Sequence, residues 1–217
     1  MDLEEAISTQ RAIRRLRTDP VDDDVILRCL RLAVKAPTGG NTQGWEFIVV
    51  RDRAVKAALG RQNKLAWTWL VRARYALRAT SRNQKIVDAV SHQVEHWDDI
   101  PALVVFCLRG VSWPGPWLYR SSRYGSIYPA VQNFLLAARA EGLGAALTTL
   151  PLWNRIAARR ALGLPLNVEP VAVVPVGWPR GTYGPTTRRA VEEITSLDRF
   201  GNRAFEPQRG ARARPPR

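Results

Sequence analysis

The sequence predicts an α/β protein, an α+β sandwich in which helices cover both faces of a central sheet. Segments with the apolar spacing of buried helices alternate with short runs of β-branched and aromatic residues. The chain has 217 residues, of which 46% are hydrophobic, so it is long enough for one sizeable core. We expect one domain over residues 1–207, followed by a basic tail over residues 208–217. The Arg, Pro and Gly content of that tail predicts disorder or wrapping on a partner.

The first helix, loop and strand can be assigned from residue pattern. Asp22 is a plausible N-cap for a helix that Pro37 ends. Its predicted buried stripe consists of Ile26, Cys29, Leu30, Ala33 and Val34. A loop of turn formers follows, and Trp45–Val50 then has the β-branched and aromatic composition of a strand. Residues 63–97 are polar and helical in character, without clear boundaries.

The second half of the chain repeats this alternation. Residues 102–108 predict a strand, and the Trp-Pro-Gly-Pro-Trp run at 113–117 predicts a pocket lid. From Ile127 an apolar stripe indicates a helix that ends at Gly142. The pattern then predicts a strand at 145–150, a helix at 156–162, a strand at 170–176 and a loop at 177–184.

Composition restricts the class of protein. No apolar run approaches the roughly 20 residues of a membrane helix, and the acidic N-terminus does not look like a signal peptide, so we expect a cytoplasmic protein. Two cysteines, Cys29 and Cys107, are expected to be reduced core residues. The net charge of +14 favours anionic partners, but the arginines are dispersed along the chain and do not predict one nucleic-acid groove.

Three separated motifs together resemble the FMN-dependent nitroreductase family. The segment Gln-Arg-Ala-Ile-Arg-Arg-Leu at 10–16 is similar to that family's Arg-Arg-Ser-x-Arg-x-Phe, and residues 36–47 are similar to its Ala-Pro-Ser-x-x-Asn-x-Gln-Pro-Trp-x-Phe. The third motif combines residues 132–138 and 142–144 with residues 188–193. The resemblance covers residues 8–200 and implies a mixed central sheet, a swapped-type homodimer and an FMN cofactor shared between two chains.

The resemblance also assigns the two ends of the flavin. FMN needs cations for its phosphate and for the N1/O2 edge, which becomes negative on reduction. We expect Arg11 at the phosphate and ribityl end of FMN and Arg14 at its N1/O2 edge. Both arginines are predicted to lie on one helical turn. The alternative is that they form a basic, solvated helix face. Gln10 and Ala12 depart from the family's Arg and Ser, so phosphate binding must rely on other residues. The resemblance implies that Arg188 binds the phosphate. Arg189 is a second candidate, but it could equally be surface charge.

Further contacts are predicted from the loop and from a strand end. The loop residues expected against the ring and its pyrimidine edge are Pro37, Thr38, Gly39, Gly40, Asn41 and Gln43. The strand end expected to present a backbone N–H to flavin N5 and O4 consists of Thr148, Thr149 and Leu150. The residues predicted for the lid and substrate pocket are Trp113, Trp117, Tyr119, Tyr124 and Ser126. For each group an ordinary turn, strand end or loop is the alternative interpretation.

The resulting hypothesis is an FMN oxidoreductase. It passes hydride from NADH or NADPH through flavin N5 to a small electron-poor acceptor, and it needs no side-chain nucleophile and no metal. His92 and His96 lie four residues apart without a convincingly spaced third ligand. A flavin-sequestering protein without turnover and, less favoured by the motifs, a nucleic-acid binder are the alternatives. We expect no membrane association and no specific nucleic-acid partner.

Overall fold

The central sheet has four strands in the order β1-β2-β4-β3. They are β1 (Trp45–Val50), β2 (Ala102–Arg109), β3 (Gly144–Ala145) and β4 (Val168–Gly177), and each neighbouring pair is antiparallel. The computed structural model describes residues 1–77, 80–110 and 117–205, with their side chains except at positions 76, 82 and 117–120. Among these residues, parallel pairing is limited to one isolated bridge between Ala12 and Ala145.

Strand β2 is buried on both faces because its side chains alternate between two cores. Ala102, Val104 and Phe106 belong to one apolar cluster, whereas Leu103 and Val105 belong to the other. A continuous apolar run with this burial is typical of a strand sandwiched between helical layers. The predicted sandwich with helices on both faces is confirmed.

Helices α2 (Asp23–Ala33) and α6 (Trp117–Ala140) contribute to the first core, and α1 (Leu3–Thr9) lies against α6. Asp22 is the N-cap residue of α2, as predicted. Helix α6 begins ten residues before the expected start at Ile127. The pattern missed these turns because residues 117–126 are rich in Ser, Tyr and Arg and contain few apolar residues that could form a stripe.

Helices α3 (Arg53–Ala66) and α7 (Arg155–Ala161) contribute to the second core through Leu59 and Ala158. A π-helical turn at Trp67–Val71 connects α3 to α4 (Arg72–Ala76), and α5 (Ser81–Glu95) follows. These elements resolve the polar helical stretch predicted over residues 63–97. Within the part of the chain that the structure describes, no helix has both the length and the apolar character that crossing a bilayer requires.

The strand predicted over residues 145–150 is mostly wrong. β3 ends at Ala145, and Thr148 makes only one isolated bridge, to Val173. A short 3-10 turn then covers Leu150–Leu152. The Ala146 N–H donates to the carbonyl of Pro175 in β4 at 3.3 Å, but that proline has no N–H to donate in return, so the regular ladder is interrupted there.

The chain divides into two compact units, Met1–Gly184 and Pro185–Arg217. The first contains all four strands and seven α-helices named above. In the second, which is described as far as residue 205, a 3-10 turn spans Glu192–Ile194, and Phe200 is 97% exposed. The predicted basic tail at 208–217 lies outside the described residues.

Candidate active site

The arginine-bearing segment that follows α1 is extended, so the prediction of a helical turn under Arg11 and Arg14 is wrong. The helix closes at Thr9, after which Gln10 adopts an extended backbone. The Ile13 N–H then donates to the carbonyl of Ala145 at 3.0 Å. Pairing with the end of the sheet and burial of apolar side chains override the local helical pattern.

Close packing fixes this segment against β3. Ile13 and Leu16 are buried, and a Cβ added at Gly144 would lie 2.8 Å from Ile13 Cγ2 and 2.9 Å from Leu16 Cδ2. Only a residue without a side chain allows the two backbones to approach this closely. The glycine therefore positions the arginines that lie between and beside these two apolar side chains.

Arg11, Ala12 and Arg14 line one cavity of about 520 Å³. Its other lining residues are Arg15, Ser81, Lys85, Ile86, Ala89 and Tyr183. The walls thus bring together three of the predicted cofactor-binding residues. Among the described residues that line it, four are cationic and none is a carboxylate, so the cavity attracts an anion.

Arg14 is the most constrained of these cations. Burial lowers the pKa of its guanidinium, an effect that the nearby Tyr75 partly offsets. No hydrogen bond or ion pair joins its side chain to any described residue. Arg11, by contrast, is exposed and makes a long contact of 3.5 Å from Nη1 to the carbonyl of Gly184. A desolvated cation without a partner is a site that a ligand's negative charge can complete.

Thr149, Leu150 and Tyr124 line a second cavity, of about 360 Å³. Its walls are mainly apolar and aromatic and include Leu70, Tyr128 and Trp153. The structure therefore brings the predicted flavin N5 contacts together with one residue of the predicted substrate pocket. Thr148 does not line it, because its backbone pairs with Val173 and its Oγ1 accepts a hydrogen bond from the Leu150 N–H at 3.3 Å.

A nearly buried carboxylate closes the polar end of this second cavity. The Tyr124 hydroxyl donates to Glu169 Oε1 at 3.1 Å, and Arg155 forms an ion pair with the same oxygen. Burial, together with the neighbouring Tyr124, raises the pKa of Tyr128. The pair of opposite charges leaves this end close to neutral, in contrast to the cationic first cavity.

The helical elements over residues 66–77 and 80–89, here called the covering segment, contribute to both cavities. Ala66 and Leu70 line the second cavity, whereas Ser81 and Lys85 of α5 line the first. Between them, Tyr75 lies close enough to Arg14 to affect its pKa. The polar helical stretch that the sequence left without a role therefore walls the candidate site. π-helical turns are frequent at such positions.

The loop over residues 37–43 is held against α6. The Gly39 N–H donates to Ser126 Oγ at 3.1 Å, and that hydroxyl in turn donates to the carbonyl of Ser122 at 2.8 Å. A Cβ at Gly39 would lie 2.7 Å from Ser122 Oγ. Ser126, which was predicted in the substrate pocket, thus anchors this loop. Pro37, the first residue of the loop, is exposed.

The backbone of the same loop is strained at two residues. Asn41 and Gln43 have φ of 52° and 47°, whereas Gly40 adopts its φ of 60° without a steric cost. The Gln43 N–H donates to Thr38 Oγ1 at 3.2 Å, and its amide Nε2 donates to Asn41 Oδ1 at 3.1 Å. Positive φ at non-glycine residues is uncommon and concentrates at functional sites. Among the described lining residues of the two cavities, none comes from this loop.

The remaining predicted residues lie elsewhere. Arg188 and Arg189 are exposed in the second unit; Arg188 donates to the carbonyl of Thr187 at 2.9 Å, and Arg189 pairs with Glu193 at 3.5 Å. Trp113 lies outside the described residues. Trp117 and Tyr119 belong to the backbone of α6, but their side chains are also outside the description.

Sequence reasoning missed several residues of the candidate site. Arg15 stands inside the arginine motif and could have been found there, had the segment been read as extended. Lys85 and Tyr75 lie in a polar helical stretch where nothing in the pattern distinguishes them from solvated surface. Glu169 is only 9% exposed, and it could have been noticed as a charged residue inside an otherwise apolar strand.

Comparison with known proteins identifies the family of this chain. The model of the nitroreductase family matches residues 7–178. The chain is 28% identical over 199 residues to a protein of Thermus thermophilus named NADH dehydrogenase, covering 89% of this chain and 95% of that one. It is 29% identical over 202 residues to the 5,6-dimethylbenzimidazole synthase of Rhodospirillum rubrum, covering 91% and 87%.

Solved structures share the fold. The crystal structure of oxidized iodotyrosine deiodinase bound to FMN and 3-iodo-L-tyrosine superposes with a TM-score of 0.68 at 21% identity, covering 92% of this chain and 98% of that one. The family match spans well over half of the chain and includes the arginine segment, the loop over residues 37–43 and the residues of β4 that line the second cavity. The chain therefore belongs to the nitroreductase family of flavoprotein oxidoreductases.

Proposed function

We propose that this protein is an FMN-dependent oxidoreductase that transfers hydride from NADH or NADPH, through flavin N5, to a small electron-poor acceptor such as a nitroaromatic, a quinone or an enone. The observation that carries the proposal is Arg14, a desolvated guanidinium without an anionic partner among the described residues. It lines a cavity that contains three more cations. Such an arrangement is costly unless a ligand brings negative charge.

The cationic cavity fits the anionic parts of FMN. Arg11 would take the phosphate, since a guanidinium can donate two parallel hydrogen bonds to it. Ala12, which lines the same cavity, offers no hydroxyl there. We propose that Arg188, and Arg189 if its pair with Glu193 opens, adds the charge that this position lacks. Arg14 would hold the N1/O2 edge.

The second cavity fits the reacting end. When bound, the flavin supplies a hydride acceptor and donor at N5. We propose that the backbone N–H of Thr149 orients the N5/O4 side of the ring, and that the Leu150 N–H joins it by exchanging its bond to Thr148 Oγ1 for one to the flavin. The aromatic walls formed by Tyr124, Tyr128 and Trp153 suit a flat, electron-poor ring, because electron-rich and electron-poor rings stack favourably.

We further propose that the site is completed by a second chain in a homodimer. The loop over residues 37–43 is exposed, strained and anchored to α6, and it lines neither cavity of its own chain among the described residues. Strain of this kind persists where the surrounding structure enforces it. If the loop of the partner chain lay against the flavin, the site would be shared between two chains, as the resemblance implies. This placement would also explain why Asn41 and Gln43 are exposed.

A visible spectrum tests the core of the proposal. The purified protein, reconstituted with FMN and desalted, is expected to remain yellow with one flavin per chain. Anaerobic NADH or NADPH should bleach the colour, and a nitroaromatic or a quinone should restore it. A protein that binds no flavin contradicts the proposal outright. A protein that binds flavin but is not bleached by either nicotinamide is a flavin carrier.

A further inference from the structure

The wall of the first cavity carries more positive charge than one flavin requires. Under the proposed function, Arg11 serves the phosphate and Arg14 serves the N1/O2 edge. Arg15 and Lys85 line the same cavity and have no anion assigned to them. No carboxylate lines this cavity among the residues that the structure describes, so their charge is not neutralised from within.

The excess charge continues past the rim of the cavity. The Arg180 N–H donates to the carbonyl of Arg15 at 2.9 Å, which holds the two backbones together. His92 and His96 of α5 stack with ring centroids 4.1 Å apart. Burial lowers the pKa of His92, and His96, Arg15 and Arg180 lower it further, while Glu95 opposes them. Arg15 and Arg180 therefore lie near His92, which follows the cavity-lining Ala89 by three residues in α5.

Six of the described arginines are neutralised by a carboxylate, and none of these six lines the first cavity. Arg17, Arg28 and Arg51 each form an ion pair with a carboxylate. Arg15, Lys85 and Arg180 form none with any residue that the structure describes. A group of unpaired cations on one concave surface raises the local potential and favours a second, strongly charged anion.

We propose that Arg15, Lys85 and Arg180 bind the 2′-phosphate of NADPH and make the protein prefer NADPH to NADH. The inference rests on the proposed function, because it concerns the reductant of that same site. In Rossmann-type sites a carboxylate binds the ribose 2′-hydroxyl of NADH, whereas an arginine accommodates the 2′-phosphate of NADPH, because a cation attracts a phosphate and a carboxylate repels it. The described residues that line this cavity include cations and no carboxylate, which matches the second case.

Steady-state kinetics on the FMN-loaded protein test the preference. The ratio of kcat/KM for NADPH to kcat/KM for NADH is measured for the wild type, Arg15→Gln, Arg180→Gln and Arg160→Gln. Arg160 is an exposed arginine of α7 that lines neither cavity, so it controls for the loss of one charge. We expect the wild type to favour NADPH and the ratio to fall about tenfold in the first two variants, with no change in the control.

A binding measurement gives a readout independent of turnover. Calorimetry compares adenosine 2′,5′-bisphosphate with adenosine 5′-monophosphate on the wild type and on Arg15→Gln. The bisphosphate is expected to bind about tenfold more tightly to the wild type, and the variant should lose that difference. Equal affinity for the two nucleotides, or a wild type that prefers NADH, overturns the inference even when FMN is bound. Failure to bind FMN overturns the proposed function instead, and the nucleotide comparison still decides the inference.

Discussion

Arg14 combines burial, positive charge and the lack of an ion-pair partner among the described residues. If it faces N1/O2, it stabilises a charge that the flavin carries only when reduced. Replacing it with glutamine should then lower the flavin midpoint potential. A charge-assisted hydrogen bond contributes roughly 1.5 to 3 kcal/mol, and about 30 mV corresponds to about 1.4 kcal/mol for two electrons. We expect a decrease of about 30 to 60 mV in a redox titration.

The matched control is Arg188→Gln. A phosphate carries nearly the same charge whether the ring is oxidised or reduced, so loss of a cation there should weaken FMN retention with little change in potential. Comparison of the two variants separates the ring end from the phosphate end. An unchanged potential in Arg14→Gln together with a shifted one in Arg188→Gln would mean that the two roles are reversed.

The same burial predicts an effect on the protein without flavin. The lowered pKa of Arg14 shows that the fold disfavours its charged form. Glutamine in its place removes an uncompensated charge, so the flavin-free variant should melt at a higher temperature than the flavin-free wild type. The order should reverse when FMN is added in excess. A flavin-free variant that is less stable would show that Arg14 serves the fold.

At the scale of elements, the site depends on the extended segment that carries the arginines past β3. Gly144→Ala would place a methyl group 2.8 Å from Ile13 Cγ2 and 2.9 Å from Leu16 Cδ2. Overpacking of this kind costs about 1 to 3 kcal/mol. We expect the free energy of unfolding to fall by that amount in urea titrations, and FMN affinity to fall with it because Arg11 and Arg14 shift.

Gly125→Ala is the control for this substitution. Gly125 lies inside α6 with open space around its Cα, and alanine favours the helix by about 0.5 to 1 kcal/mol relative to glycine. Stability should therefore stay the same or rise. Equal destabilisation of both variants would show that the close approach at Gly144 is not what limits the fold.

The elements also show which structure the sequence could predict. Strand β2 and helix α2 were predictable because long apolar runs and a capped stripe are local signals. The segment over residues 10–17 was not, since its extended form comes from the Ile13 bond to Ala145, a partner more than 100 residues away. The covering segment was equally hidden, because Lys85 and Tyr75 acquire a role only when α4 and α5 pack beside Arg14.

At the scale of the whole molecule, several exposed apolar side chains could contact the second chain of the proposed dimer. Leu27, Leu32 and Val34, which lie on α2 and at its C-terminal end, are 44%, 54% and 40% exposed. In the second unit, Phe200 is 97% exposed and Phe205 49%. These residues are candidates for the dimer contact that the proposed site requires.

Sedimentation of the FMN-loaded protein tests that contact. We expect a dimer with two equivalent flavins for the wild type and a weaker dimer for Leu32→Glu, because a charge in an apolar interface must be desolvated. The Leu32 variant should also lose flavin on dilution. Arg31→Gln, at an exposed neighbouring position, controls for the same change of −1 in net charge. A monomer that retains one FMN per chain would contradict the shared site.

The basic C-terminal tail is expected to act on polyanions and not on turnover. Removal of residues 208–217 deletes four arginines, so the net charge of +14 falls to +10. Each phosphate contact contributes about 0.9 to the slope of log affinity against log salt, so truncation should reduce that slope for duplex DNA by up to about four. Filter binding over a salt series measures the slope, and full-length protein with the four arginines changed to glutamine should match the truncated one. FMN content and turnover should be unchanged in both, because Arg11, Arg14 and Arg188 remain. If truncation released FMN while the glutamine variant kept it, the tail would complete the site through its backbone.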